Sequence, residues 1–270
     1  MYRKKAVFCF FITILLIVLI SCKSNNYIKV SSYDYNGLKR LKQGDFSKET
    51  ALTWGRPEYP YGNYTCYVTV KNDELLISNS EPSYLSDVMP MNNGYFVGVD
   101  LGEFDGWVRY FPYYSAYPES GESFVVANEN FGGFIKIDNN SGFAITYTYT
   151  MTPFDDGEGK VYYLSLNQKE WTCGTAITFS GIPRASSYVE SEHVIYIVTT
   201  ESILSYSVES QELSVLTEST LLNYIGANSV VKLNNNIYCG SPMGIYEYSL
   251  ATGEERWYPM DYEQHPAVGS

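Results

Sequence analysis

The stretches "VYYLSLNQKEW" (Val161–Trp171), "ILSYSVESQEL" (Ile203–Leu213) and "IYEYSLATGEE" (Ile245–Glu255) begin 42 residues apart, twice in succession and without a gap. Val161, Ile203 and Ile245 open the copies; Ser165, Ser207 and Ser249 coincide, as do Glu170, Glu212 and Glu254. In between, Tyr162-Leu164-Leu166, Leu204-Tyr206-Val208 and Tyr246-Tyr248-Leu250 are apolar at every second position. Side chains of a strand alternate between its two faces, so each copy reads as an amphipathic strand ending in a polar turn.

The last two copies extend backwards. "HVIYIVTTESILSYSVESQELSVL" aligns with "NNIYCGSPMGIYEYSLATGEERWY", placing Ile195 on Ile237 and Tyr196 on Tyr238, and "ASSYVES" and "NSVVKLN" supply one further strand each. Four short strands in about 42 residues make a propeller blade, a unit that buries its faces only by stacking on its neighbours. Upstream, "NNGYFVGVDLG", "FDGWVRYF", "GGFIKIDNNSG" and "GKVYYLSLN" follow the same grammar, short strands bounded by Gly, Asn and Asp. The expected fold is all-β, a β-propeller of five or six four-stranded blades, with an irregular one near residues 27–75; a β-sandwich is the alternative. "GIYEYSLATGEERWYP" resembles the quinoprotein-type propeller repeat, with Thr252, Gly253 and Trp257 at its Thr, Gly and Trp positions. The resemblance implies that Gly253 takes a φ > 0 turn and that Trp257 locks the blade edge onto a neighbour. A single full copy of the pattern implies a fold and no quinone, and no cofactor is expected.

The amino end answers a different question. Arg3, Lys4 and Lys5 precede an apolar run from Ala6 to Ile20, too short for a bilayer core but suited to a secretory signal. Leu19-Ile20-Ser21-Cys22 resembles the bacterial lipobox, which implies cleavage before Cys22 and acylation of its thiol. Several acyl chains, such as diacylglyceryl plus palmitate, hold a protein on a membrane where one would let it exchange. The expected layout is a signal peptide at 1–21, lipidated Cys22 with a linker to 30, a propeller-like domain at 31–262 and a tail at 263–270. The protein would be exported and anchored to the outer face of the cell membrane or to the outer membrane.

Removing residues 1–21 takes away three basic residues and no acidic ones, leaving a net charge near −15. Such a surface repels phosphate backbones, so nucleic acid is not an expected partner. Cys66, Cys173 and Cys239 remain after Cys22; their spacing shows no zinc pattern, one disulfide is permitted by export, and Cys239 in "NNIYCG" reads as a small buried hydrophobe.

Catalytic raw material is thin. The chain has two histidines, of which His193 stands at a strand start aligned with Asn235, and it holds no G-x-S-x-G, P-loop or H-E-x-x-H string. The carboxylate pairs Asp155–Asp156 and Glu103–Asp105 sit in Gly-rich turns and read as solvated hairpin tips. No metal site is assigned. "RYFPYYSAYPESGES" (Arg109–Ser123) gathers Tyr110, Tyr113, Tyr114 and Tyr117 between Pro112 and Pro118. Because proline cannot donate to a ladder, this stretch reads as irregular, with tyrosines able to stack on a sugar or anchor a protein. The expected function is a binding or scaffold module for a protein or glycan partner, membrane-bound through its lipid. A glycan hydrolase using channel carboxylates and an inhibitor or immunity-type lipoprotein are the alternatives.

Overall fold

The aromatic and β-branched residues that alternate along the chain form strands, as such residues do on a pleated, half-buried surface. A computed structural model describes residues 66–78, 87–104, 106–113, 124–149, 157–219, 221–242 and 244–259. The proposed signal, Cys22 and the linker lie outside them, as do Tyr114, Tyr117, Asp105, Asp155, Asp156 and the tail.

The described chain opens with a hairpin, β1 (Tyr67–Lys71) and β2 (Glu74–Ser78). Four antiparallel four-stranded sheets follow in order. The first is β3 (Val88–Pro90), β4 (Gly94–Val99), β5 (Trp107–Pro112) and β6 (Phe124–Ala127). Next comes β7 (Asn130–Lys136), β8 (Ser141–Thr148), β9 (Glu158–Asn167) and β10 (Glu170–Ser180). The third is β11 (Pro183–Val189), β12 (Val194–Thr199), β13 (Ser202–Ser207) and β14 (Glu212–Glu218). A single helical turn, α1 (Leu221–Ile225), leads to β15 (Ser229–Leu233), β16 (Asn236–Ser241), β17 (Gly244–Ser249) and β18 (Glu255–Pro259). Every sheet is a simple meander in which each strand pairs with its sequence neighbour.

The three repeat copies are the third strands β9, β13 and β17 with the turns that follow them. Their common register is visible in the hydrogen bonds. An amide at the end of strand three or just past it donates to the carbonyl before strand two: Leu166 to Asn140, Val208 to His193 and Leu250 to Asn235. Tyr113 to Asn93 is the same bond in the first sheet, where the sequence repeat is no longer recognisable. Gly253 has φ 71°, the left-handed turn expected of it.

The sheets pack face to face in succession, with a core at each contact. Phe96, Val108 and Tyr110 of the first sheet meet Tyr162, Leu164, Leu166 and Trp171 of the second. Ile145, Val161 and Phe179 on the reverse of the second meet Leu204, Tyr206 and Val208 of the third. Ala185, Val198 and Ile203 meet Tyr246, Tyr248, Leu250 and Trp257 of the fourth. Val231, Tyr238 and Ile245 meet Cys66, Val68, Leu75 and Ile77 of the hairpin. The residues at every second position of a copy thus face the preceding sheet, while Val161, Ile203 and Ile245, all fully buried, face the following one. Trp257, also fully buried, locks the fourth sheet against the third. This serial stacking replaces the two facing layers of the sandwich alternative, and the architecture is propeller-like.

Arg109–Pro112 departs from the expectation of an irregular stretch. These four residues finish β5, which lies between β4 and β6 in its sheet. Pro112 is tolerated because it occupies the last strand position, opposite Gly94, where its missing N–H interrupts no ladder.

Candidate functional site

In every sheet the first strand is the one that lies against its counterparts, and these first strands together wall a cavity of about 1100 Å³. The walls are the carboxyl-terminal residues of β1, β3, β7, β11 and β15 and the turns that follow them, so the cavity lies at the end of the sheets where strand one turns into strand two. Val70, Leu76, Met89, Phe134, Val231 and Leu233 supply the apolar part of a mixed lining that also holds Thr69, Ser186 and Asn234.

Three lysines come to this end. Lys71 ends β1, Lys136 ends β7, and Lys232 is the penultimate residue of β15. Lys232 pairs with the Glu192 carboxylate of the preceding sheet and is largely covered. Glu192 also accepts from the Tyr196 hydroxyl at 3.0 Å. Burial, and then that carboxylate, push the Tyr196 phenol above its ordinary value. Lys136 reaches the preceding sheet too, donating to the Pro90 carbonyl at 2.6 Å. Its charge also acts on the Asp138 carboxyl, which the Asn140 amide chiefly, and Lys136 in part, hold below the ordinary value. Lys71 is exposed and stands opposite Glu74 across the hairpin turn. The carboxylates in the described wall are Asp73 and Glu192, and Glu74 and Asp138 stand beside Lys71 and Lys136, so the lysines leave no excess of cation at this end. Ser187 adds a hydroxyl to the wall whose Oγ is buried without a hydrogen-bond partner.

Tyr113 belongs to the same end. It follows strand three of the first sheet, is exposed, and donates its hydroxyl to Met91 O at 3.1 Å, in the turn after β3. Its ring lies 6.2 Å from that of Tyr95. Tyr110 is placed differently. It is buried against Phe96 and Trp171, and its hydroxyl donates to Asn93 Oδ1 at 2.6 Å. Trp171 Nε1 donates to the same oxygen at 3.2 Å, so Tyr110 sits in the contact between the first two sheets. Of the four tyrosines singled out in the sequence, Tyr113 is thus the described one that faces solvent.

The remaining candidates have structural surroundings. His193 takes a left-handed conformation (φ 52°) in the turn before β12, its Nδ1 3.1 Å from the Tyr188 hydroxyl. Glu103 lies in a single 3-10 turn between β4 and β5. Cys66 and Cys239 are buried thiols and Cys173 is exposed; none of the three is disulfide-bonded. Burial pushes the Cys66 thiol up to about 12.

The lysines were missed in the sequence, although they left a trace there. "VKND", "IKID" and "VKLN" each end an apolar strand with lysine just before an Asn or Asp turn residue. The copies are out of step by one residue and lie on strands whose spacing varies, so the 42-residue comparison passed over them.

No family model matches the chain, and no curated protein matches it. Similar solved structures include the WD40 β-propeller domain of Doa1, with a TM-score of 0.36 at 10% identity over 50% of this chain and 42% of that one. The extracellular domain of the putative hybrid two component system BT4673 from B. thetaiotaomicron gives 0.41 at 14% identity, over 68% and 23%. A second structure of that extracellular domain, described as a one component system, gives 0.39 at 14%, over 74% and 24%. The chain spans a quarter to two fifths of the length of these structures. Likeness at this level assigns no function, and the architecture rests on the sheets themselves. Among the described residues no helix is long and apolar enough to cross a membrane.

Proposed function

We propose that this chain is an envelope lipoprotein, acylated at Cys22, whose propeller-like domain binds a protein or glycan partner at the cavity end. The single observation that carries the binding reading is the cavity of about 1100 Å³ walled by the first strands of five sheets. A frame of regular strands holds its walls rigid, while turns and loops around it supply adaptable contacts. Tyr113 and the polar turns of the repeat copies share that end and extend the binding face outwards. The sheets close into a ring through the hairpin, a reading supported by its packing on the fourth sheet and its place in the same cavity wall as β3.

Glycan hydrolysis through channel carboxylates is less well supported. Of the two carboxylates in the described wall, Glu192 is engaged by Lys232 and Tyr196.

Two measurements test the proposal. The chain from Lys23 onward, immobilised, is offered membrane extract beside a Val70→Trp variant, whose larger ring narrows the cavity from an exposed position in its wall. A partner retained by the first and lost from the second is the expected result, and equal retention overturns the cavity reading. For the anchor, Cys22→Ser is expected to abolish incorporation of labelled palmitate. A mature chain whose amino terminus is unacylated by mass spectrometry overturns it.

A further inference from the structure

The outer edge of the second sheet differs from the other outer edges. Its last strand, β10, is 11 residues long, and no charged residue lies between Glu170 and Arg184. The other outer strands are blunted: β6 has 4 residues, β14 begins and ends in glutamate, and β18 combines Glu255, Arg256 and Pro259. Short length, charge and proline are the means by which sheet edges avoid pairing with another chain.

Alternation shows where the backbone groups of β10 point. Leu166 N–H goes to Asn140 O, away from β10, so Leu166 and Trp171 oppose each other as a pair without mutual hydrogen bonds. The N–H and C=O of Trp171 therefore point out of the edge. Those of Cys173 and Thr175 do the same, because the register with β9 is regular as far as Thr175. Among the described residues no backbone bond from outside the sheet reaches these three. Thr172, Cys173, Gly174 and Thr175 are exposed, and a Cβ on Gly174 would meet nothing within 4 Å. The strand is nonetheless held firmly on its inner side, where Thr172 Oγ1 lies 2.9 Å from Ser165 Oγ and accepts from Asn167 Nδ2 at 3.1 Å.

We infer that this edge pairs with the same edge of a second copy of the chain, antiparallel about a two-fold axis at Cys173. In that register outward groups meet outward groups: Trp171 opposes Thr175 of the other copy, and Cys173 opposes its own counterpart, each pair exchanging both N–H···O bonds. Charge selects the occupant. A chain of net charge −12 repels its own copies over most of its surface, and the uncharged edge is where they can approach. The same self-pairing of β14 about Val215 would set Glu212 against Glu218, and like charges directly opposite are destabilising. On β10 Glu170 falls beside Ala176 instead. An edge contact of this length falls short of the roughly 1,200 Å² that stable interfaces bury, so association is expected to be no tighter than about micromolar.

The test is sedimentation velocity on the chain from Lys23 to Ser270, with reductant present, at about 5 to 500 µM, a range spanning the expected dissociation constant. The wild-type chain is expected to pass from monomer to dimer. Cys173→Ser is expected to do the same, since the pairing is made by backbone. Cys173→Lys and Cys173→Glu each set like charges across the axis and are expected to weaken association about fivefold or more, while an equimolar mixture of the two regains it. Cys173→Lys also lowers the net negative charge, so its weaker association cannot come from overall repulsion. Ser214→Lys, exposed on β14, is expected to leave association as in wild type. Thermal melts show that each variant is folded, and recovery in the mixture shows the same of both charged chains. A wild-type chain that stays monomeric throughout overturns the inference, as does undiminished association of Cys173→Lys. A mixture no better associated than its components overturns the axis at Cys173. None of these outcomes bears on the cavity, whose wall contains no residue of β10.

Discussion

Glu247 is the residue that most departs from its surroundings, a carboxylate 4% exposed in the middle of β17. It accepts from Asn236 Nδ2 at 2.7 Å, the Tyr238 hydroxyl at 3.2 Å and the Tyr258 hydroxyl at 2.6 Å, with Arg256 Nη1 3.7 Å away. A buried charge is tolerated when its lone pairs are taken up in this way, and removing it strands every donor at once. Glu247→Ala is therefore expected to cost about 3 kcal/mol, read from the urea midpoint, and Glu247→Gln, which keeps acceptor oxygen, about 1 kcal/mol. Phenols give the complementary pH dependence. Burial is the main cause that pushes Tyr147, Tyr196, Tyr246 and Tyr258 above their ordinary 10.0, with Asp100, Glu192, Glu255 and Glu247 adding to it in turn. A group raised on folding contributes stability below its unfolded value and loses it above. The urea midpoint is expected to hold up to about pH 10 and to fall steadily beyond it. A midpoint independent of pH between 9 and 11.5 would contradict the burial of these four rings.

At the scale of elements, the turns divide into suited and unsuited sequences. Between β1 and β2, Asn72 and Asp73 take φ 53° and 59°, as the two-residue hairpin turn requires and as Asn and Asp tolerate. Between β9 and β10 the same geometry falls on Gln168 and Lys169, at φ 50° and 89°, residues with no such tolerance. Gln168→Asn combined with Lys169→Gly is expected to raise stability by about 1 kcal/mol, seen as a higher melting temperature. What the sequence disclosed follows the same division between regular and irregular. Third strands were legible because Val161, Ile203 and Ile245 are locked in one register, and second strands because Ile195 and Tyr196 match Ile237 and Tyr238. Arg109–Pro112 was misjudged because proline's veto applies inside a ladder and lapses at its end. The lysines of the cavity end stayed hidden because positions 71, 136 and 232 are brought to one cavity by the stacking of sheets, which no local pattern encodes.

At the scale of the molecule, the hairpin is held to the fourth sheet by two backbone donors. Cys66 N–H reaches Ser241 O at 3.1 Å and Val68 N–H reaches Ser229 Oγ at 2.9 Å. Gly240 makes this approach possible, since a Cβ there would stand 2.3 Å from the Cys66 carbonyl oxygen. Gly240→Ala is expected to lift the hairpin and speed amide exchange along β1 and β2 selectively, while β7–β10 keep their protection. Uniform loss of protection would mean that the hairpin and the sheets unfold as one unit.

That attachment also orders events in time. A chain synthesised from its amino end produces β1 long before Ser229 exists, and Val68 must wait 161 residues for its acceptor. Until then the packing of Cys66, Val68, Leu75 and Ile77 on Val231, Tyr238 and Ile245 cannot form, so this contact is made late in synthesis. Any holding factor that shields nascent chains should find its longest-lived client surface there.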